Sequence, residues 1–198
     1  MTAEPDSALH ADAARPSRRE QILQGAAQQF AERGSRVGVV DDLGAAGVDP
    51  RPAIYRHFAS KDAMLAEMLL RISERLLAGA EQVLTDAGDD PADQLAGLIA
   101  FQVDFALDNP ALITVQDRDL GALAEADARQ VRRLQRRYVE HWVGVLAALA
   151  PEASTAECRA RAHALFGLIN STPHSGGRLS RPAMQARLTA MALAAATA

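Results

Sequence analysis

Five histidines, one cysteine and 25 acidic residues are the groups that could hold a metal or move a proton in this 198-residue chain, and their spacing argues against both. His10, His57, His141, His163 and His174 are scattered, with no His-x-x-x-His pair to set two imidazoles on one helix face. Cys158 has no second thiol, so an intrachain disulfide is excluded and a thiolate cage has nothing to build on. No phosphate-cradling glycine loop and no dinucleotide fingerprint is present, so the sequence offers no catalytic constellation, no metal site and no cofactor motif. The chemistry that remains is recognition of anions by basic side chains. Residues 15–62 carry 8 Lys/Arg against 6 Asp/Glu, whereas 1–14 carry three acids and no Lys/Arg, and 63–198 carry 13 against 16. That basic excess is modest and becomes effective only if it gathers on one face. Further on, Arg129, Arg132, Arg133, Arg136 and Arg137 form a basic stripe. Two readings of it are open: a solvated face pairing with acids such as Glu125 and Glu140, or an anchor for a phosphate-bearing or carboxylate ligand.

Helices must position these groups. Hydrophobic residues make up 48% of the chain, but alanine dominates them and aromatics are only 4%, which favours an all-α fold over a sheet. The opening MTAEPDSALHADAA lacks a basic n-region and an apolar h-region, and no later segment is an uncharged membrane-spanning length. A cytoplasmic protein without a membrane partner is expected.

Residues 1–15, rich in Ala, Asp, Pro and Ser, read as a flexible tail. Ser17 and Glu20 form a capping box for a first helix carrying Ile22, Ala26 and Phe30 and stopped by Gly34. Val40 and Leu43 suggest a second short helix ending at Gly47, and Asp49-Pro50 opens a third that runs to His57. Ser60 caps a long helix with Met64, Leu65, Met68, Leu69, Ile72 and Leu76 at helical spacing. TDAGDDPAD breaks it, Asp90-Pro91 starts the next, and Asn109-Pro110 ends that one. ALITVQ then reads as a short connecting segment before a helix over about 121–149. A second capping box, Ser154 to Glu157, opens a helix closed by Pro173 and Gly176-Gly177, and a last helix spans 181–196.

Helix, short helix, glycine turn and short helix within about 45 residues match a tri-helical DNA-binding head whose third helix enters the major groove. The stretch AIYRHFASKDAML at 53–65 is more specific. It resembles the signature of the TetR (tetracycline-repressor-like) family, in which a recognition helix ends in Tyr-x-His-Phe and runs through Ser-Lys into a connecting helix. ILQGAAQQFAERGSR shares the resemblance, which covers 16–66 at motif level; the body resembles the family in length and helicity alone.

The resemblance implies a helix-turn-helix DNA-binding domain over 16–62 and a ligand-binding and dimerisation domain over 63–198. It places contacts with a double-stranded DNA operator at Arg36, Arg51, Pro52, Ala53, Tyr55, Arg56, His57 and Lys61. Tyr55, His57 and Lys61 take the positions that reach backbone phosphates, and Phe58 packs the head. Arg51 or Arg56 suits the O6 and N7 edge of guanine, with a solvated side chain as the other reading for each. The sequence departs from the family at Val39, where members usually carry a threonine that caps the second helix and touches phosphate. Losing that cap alone costs about 1 kcal/mol. The turn glycine also falls one position early at Gly47, and VDPRP replaces the common Val-Ser stretch. A helical ligand-binding dimer with weakened or lost specific DNA binding is therefore the alternative.

The family is homodimeric through its last two long helices, here about 155–171 and 181–196, where Ala160, Ala164 and Gly167 recur at close-packing intervals. A two-fold dimer reads a near-palindromic operator, and a small-molecule effector in the body alters the spacing of the heads. Candidate ligand contacts are Phe101, Phe105, Val115, Trp142 and Phe166, with Gln116, Arg118, Asn170 and His174 as polar anchors; core packing is the other reading of the apolar ones. The segments ITVQDRDL and NSTPHS resemble those of actinobacterial regulators tied to lipid and acyl-CoA metabolism, which implies an apolar or acyl-CoA-like effector.

Overall fold

The computed structural model of the chain describes residues 17–34, 56–175 and 179–197. The expected tail, the second helix of the head and most of the third lie outside those residues, as do Arg36, Arg51, Pro52, Ala53 and Tyr55. The described residues form seven α-helices and no strand. They are α1 (Arg18–Arg33), α2 (Lys61–Ala87), α3 (Pro91–Asp108), α4 (Pro110–Asp119), α5 (Glu125–Leu149), α6 (Thr155–Ile169) and α7 (Arg181–Ala196), with 3-10 turns at Leu120–Ala122 and Thr172–His174.

Local chemistry sets the helix ends. In α1 the Glu20 backbone N–H donates to Ser17 Oγ at 3.2 Å while Ser17 N–H donates to the Glu20 carboxylate at 2.7 Å, completing the capping box. Gly34, at φ 77°, supplies the left-handed residue that stops the helix, a conformation that costs an L side chain. The second capping box, between Ser154 and Glu157, opens α6 in the same way. Ser60 and Ser180 cap α2 and α7.

ALITVQ is not a connector: it is most of α4. Pro110 both ends α3 and sits in the first turn of the next helix, where its missing N–H costs nothing. Asn109 directs its side-chain amide back to the Phe105 carbonyl at 2.9 Å, finishing α3, and the chain turns by 92° between the two helices. That turn leaves α5 to begin at Glu125, four residues later than the apolar pattern predicts.

The core is one apolar cluster built around α2, α3 and α5, with α6 and α7 laid against α5 and α3. Met64, Leu65, Met68, Leu69, Ile72, Leu76, Leu77 and Ala80 bury one face of α2 along its length. Each large apolar side chain so buried contributes about 1.5–3 kcal/mol before entropy is subtracted. The sole cysteine, Cys158, is fully buried on the inner face of α6. Helix α1 packs more extensively on α4 than on α2. No single helix among the described residues is long and apolar enough to cross a membrane.

Candidate functional site: a head joint and a body cavity

Three of the eight candidate DNA contacts lie within the described residues, on the stretch that enters α2. Arg56 is exposed, while His57 and Lys61 are half-buried. Phe58 packs into the core beneath the Arg19 guanidinium, which stands 4.3 Å from its ring centroid and also donates to the His57 carbonyl. The Lys61 ammonium lies 5.8 Å from the Phe30 ring centroid, in the first turn of α2. Ion pairs brace this joint. Arg19 chelates Glu67 on α2, and Arg71 bridges Glu67 at 3.0 Å and Glu20 at 3.6 Å. The hydrogen bond from Arg19 is the main reason the Glu67 carboxyl sits below its ordinary value.

In the body, α2 to α6 line a half-open cavity of about 350 Å³. Its apolar wall includes Leu76, Ile113, Val139 and Phe166, and Gln116 and Asn170 also line it. Of the nine ligand candidates, Gln116, Phe166 and Asn170 are thus brought together. Trp142 is one layer behind, fully buried, edge-on to Phe166 with centroids 5.0 Å apart.

The other five candidates sit elsewhere. Phe101 lies over Gly79, where an added Cβ would come within 2.1 Å of the ring, so the absent side chain on α2 makes its seat. Phe105 is buried and faces a separate groove between α1 and α2, with Arg75 5.6 Å from its ring centroid. Val115 is core, and His174 is exposed on the second 3-10 turn. Arg118 leaves the cavity altogether: it donates to the Phe30 and Ala31 carbonyls of α1 and pairs with the buried Asp119 at 2.8 Å.

Two polar residues that sequence reasoning missed, Tyr138 and Gln102, form a chain through the cavity wall to Asn170. Tyr138 Oη donates to Gln102 Oε1 at 2.6 Å, and Gln102 Nε2 donates to Asn170 Oδ1 at 2.8 Å. Burial pushes the Tyr138 phenol well above its ordinary value, so it remains a neutral donor. The buried Trp142 indole N–H makes no hydrogen bond among the described residues. Gln102 is almost fully buried inside an otherwise apolar run of α3, and a polar side chain in a buried stripe was the signal for it. Gln116 Oε1 is buried with no hydrogen-bond partner, which leaves an acceptor unsatisfied beside the cavity. Asp117 stands on the exposed rim; burial still raises its carboxyl, and His174 works against that rise.

One short helix joins the two places. Gln116 and Asp117 of α4 line the cavity, and the next residue, Arg118, holds the end of α1. An all-helical body with a half-open, largely apolar cavity is joined through α4 to α1, the all-helical architecture that the sequence resemblance implies.

Comparison with known proteins agrees. Residues 88–196 match the family described as "Tetracyclin repressor-like, C-terminal domain", and residues 22–68 match "Bacterial regulatory proteins, tetR family". The chain belongs to the TetR family of bacterial regulatory proteins. It is 30% identical over 133 residues to the HTH-type transcriptional repressor KstR2 of Mycolicibacterium smegmatis, covering 66% of this chain and 63% of that protein. The match thus spans less than two thirds of the relative's length. Among solved structures, ketosteroid regulator KstR2 of Mycobacterium tuberculosis superposes with a TM-score of 0.75 at 23% identity, over 91% of this chain and 95% of the other. AibR, solved with isovaleryl coenzyme A and operator DNA, superposes with a TM-score of 0.64 at 14% identity, over 88% and 97%. At those identities the structural likeness carries the fold alone.

Proposed function

We propose that the chain is a transcriptional repressor that binds a palindromic operator as a homodimer and is released by a small apolar or acyl-CoA-like effector held in the body cavity. The observation that carries this reading is the continuity of α4, whose adjacent residues touch the cavity at Asp117 and the head at Arg118. A ligand that favours a shifted α4 changes the seating of α1, and with it the fit of the head to DNA. In the head, Arg36, Arg51, Pro52, Ala53, Tyr55, Arg56, His57 and Lys61 make the DNA contacts. In the body, Gln116, Phe166 and Asn170 meet the effector together with Tyr138 and Gln135.

Dimerisation is supported by the outward faces of α6 and α7. Ala160, Ala164 and Gly167 are exposed on one, and Met191 and Leu193 on the other at 48% and 37%. Small and apolar side chains exposed on two neighbouring helices are a face that a second copy covers. The cytoplasm is the compartment in which such a regulator works.

The test is selection of bound sequences from random DNA, followed by anisotropy titration of the selected palindrome against a scrambled duplex. Submicromolar binding that collapses in Arg51→Ala or Tyr55→Phe is expected. Equal affinity for both duplexes would leave the second reading, a ligand-binding dimer without specific DNA recognition, which Val39 and the shifted Gly47 favour.

A further inference from the structure

The cavity and the arginine stripe lie side by side on one helix. On α5 the cavity is lined by Gln135, Tyr138 and Val139, while Arg129, Arg132, Arg133 and Arg136 cluster on the solvent side of the same helix. At about 100° per residue, Val139 stands roughly 40° around the helix from Gln135, Arg132 roughly 60°, Arg136 roughly 100° and Arg133 roughly 160°, all on the same side. The arginine face therefore begins where the cavity wall ends.

The charges of the two regions are complementary in what they accept. No Lys or Arg lines the cavity, and its one acid, Asp117, is on the rim. An anionic group would find only neutral donors and the exposed His163 there, no guanidinium or ammonium, and would face that carboxylate. The arginine face is the opposite. Glu125 alone reaches it, at 3.7 Å from Arg129 and 3.6 Å from Arg132, and Arg133 and Arg136 pair with no acid among the described residues. Glu140, the other acid in reach by sequence, is held by Arg159 at 2.6 Å, and Arg137 turns away to Glu81 at 3.0 Å. Four guanidinium groups against one carboxylate exceed what a single ligand carboxylate needs and match a multiply charged phosphate head, which arginine grips bidentately.

We infer that the effector is a two-part molecule, with an uncharged apolar end in the cavity and a phosphate-bearing head on Arg129, Arg132, Arg133 and Arg136. This rests on the proposed sensor role of the cavity and assigns the anion-binding half of the site. The ligand emerges past Gln135 and Val139, and its head crosses onto the arginine face within one helical turn.

The chain's one tryptophan, Trp142, lies against Phe166 of the cavity wall and reports occupancy by fluorescence. The full chain is titrated with coenzyme A thioesters from isovaleryl to lauroyl, with the matching alcohols and with coenzyme A alone. At least one thioester is expected to bind ten-fold or more tightly than its alcohol. That advantage should vanish in Arg132→Ala/Arg136→Ala, weaken less in Arg132→Lys/Arg136→Lys, and fall steeply with salt. The alcohol should bind parent and variants alike. Equal thioester binding by parent and alanine variant overturns the assignment and leaves the sensor reading intact. Loss of operator affinity in the variant with thioester binding unchanged gives the face to DNA and also overturns it. Failure of every thioester and alcohol to bind the parent removes the cavity reading and the assignment together.

Discussion

Arg118 and Phe30, 88 positions apart in sequence, meet where the α4 guanidinium donates to the last-turn carbonyl of α1. The same guanidinium reaches Ala31 O at 3.0 Å and the buried Asp119 carboxylate at 2.8 Å, so it caps one helix while neutralising an acid on its own. Cations suit helix C-termini because the last carbonyls lack intrahelical partners.

Arg118→Ala should therefore loosen the head before it melts the body. A loss of about 1–3 kcal/mol is expected from charge-assisted bonds of this kind. Hydrogen exchange should quicken at Phe30 to Gly34, with the α3 and α5 amides unchanged. Arg118→Lys should restore part of the protection, since an ammonium cannot reach all three oxygens in a fork. Equal protection in parent and alanine variant would remove Arg118 from the coupling.

Gly79→Ala tests the seat of Phe101. The new methyl would come within 2.1 Å of the ring, and overpacking of this kind costs about 1–3 kcal/mol. In a Phe101→Ala background the same methyl should cost much less in thermal denaturation, because the clash is with that ring.

Gln102→Leu breaks the polar chain in the middle. It strands the Tyr138 hydroxyl and the Asn170 amide oxygen, each buried donor or acceptor left unpaired costing about 1–3 kcal/mol. Tyr138→Phe strands only one acceptor and should cost less. A double-mutant cycle should show coupling between the two positions; additivity would mean that the 2.6 Å contact contributes little.

Acidification should act on two carboxylates with opposite sign. Glu67 titrates below its ordinary range, so its contribution is fully present above the unfolded value, near 4.3, and is lost as pH falls through the lower folded one. Asp117 titrates above its ordinary range, so its burial penalty applies at neutral pH and is relieved as pH falls through that raised value. Asp117→Asn should raise Tm at pH 7 and lose that advantage at low pH, whereas Glu67→Gln should lower Tm at pH 7 and cease to matter at low pH. Scanning calorimetry across the pH range reads both.

The parts of the fold legible in the sequence were those written in local chemistry. Ser17 with Glu20 and Ser154 with Glu157 announce helix starts within four residues, and the Arg181–Ala196 helix ends where its pattern does. Asn109-Pro110 was ambiguous because the same pair can end one helix and begin another, so α4 went unread. The cavity was harder. Phe105, Val115 and Trp142 are apolar enough to line one, but size says nothing about which side of a packed helix faces empty space. Tyr138 belonged to the same apolar stripe as Trp142, and only the position of Gln102 across from it shows that the stripe has a polar opening.

The burial of Cys158 has an experimental consequence. Its thiol is sealed between the inner face of α6 and the core, so a modifying reagent reaches it only when that helix lifts from its neighbours. With no other sulfhydryl in the chain, the labelling rate is a clock for a single opening event, and it should slow whenever a second copy or a bound small molecule clamps α6 in place.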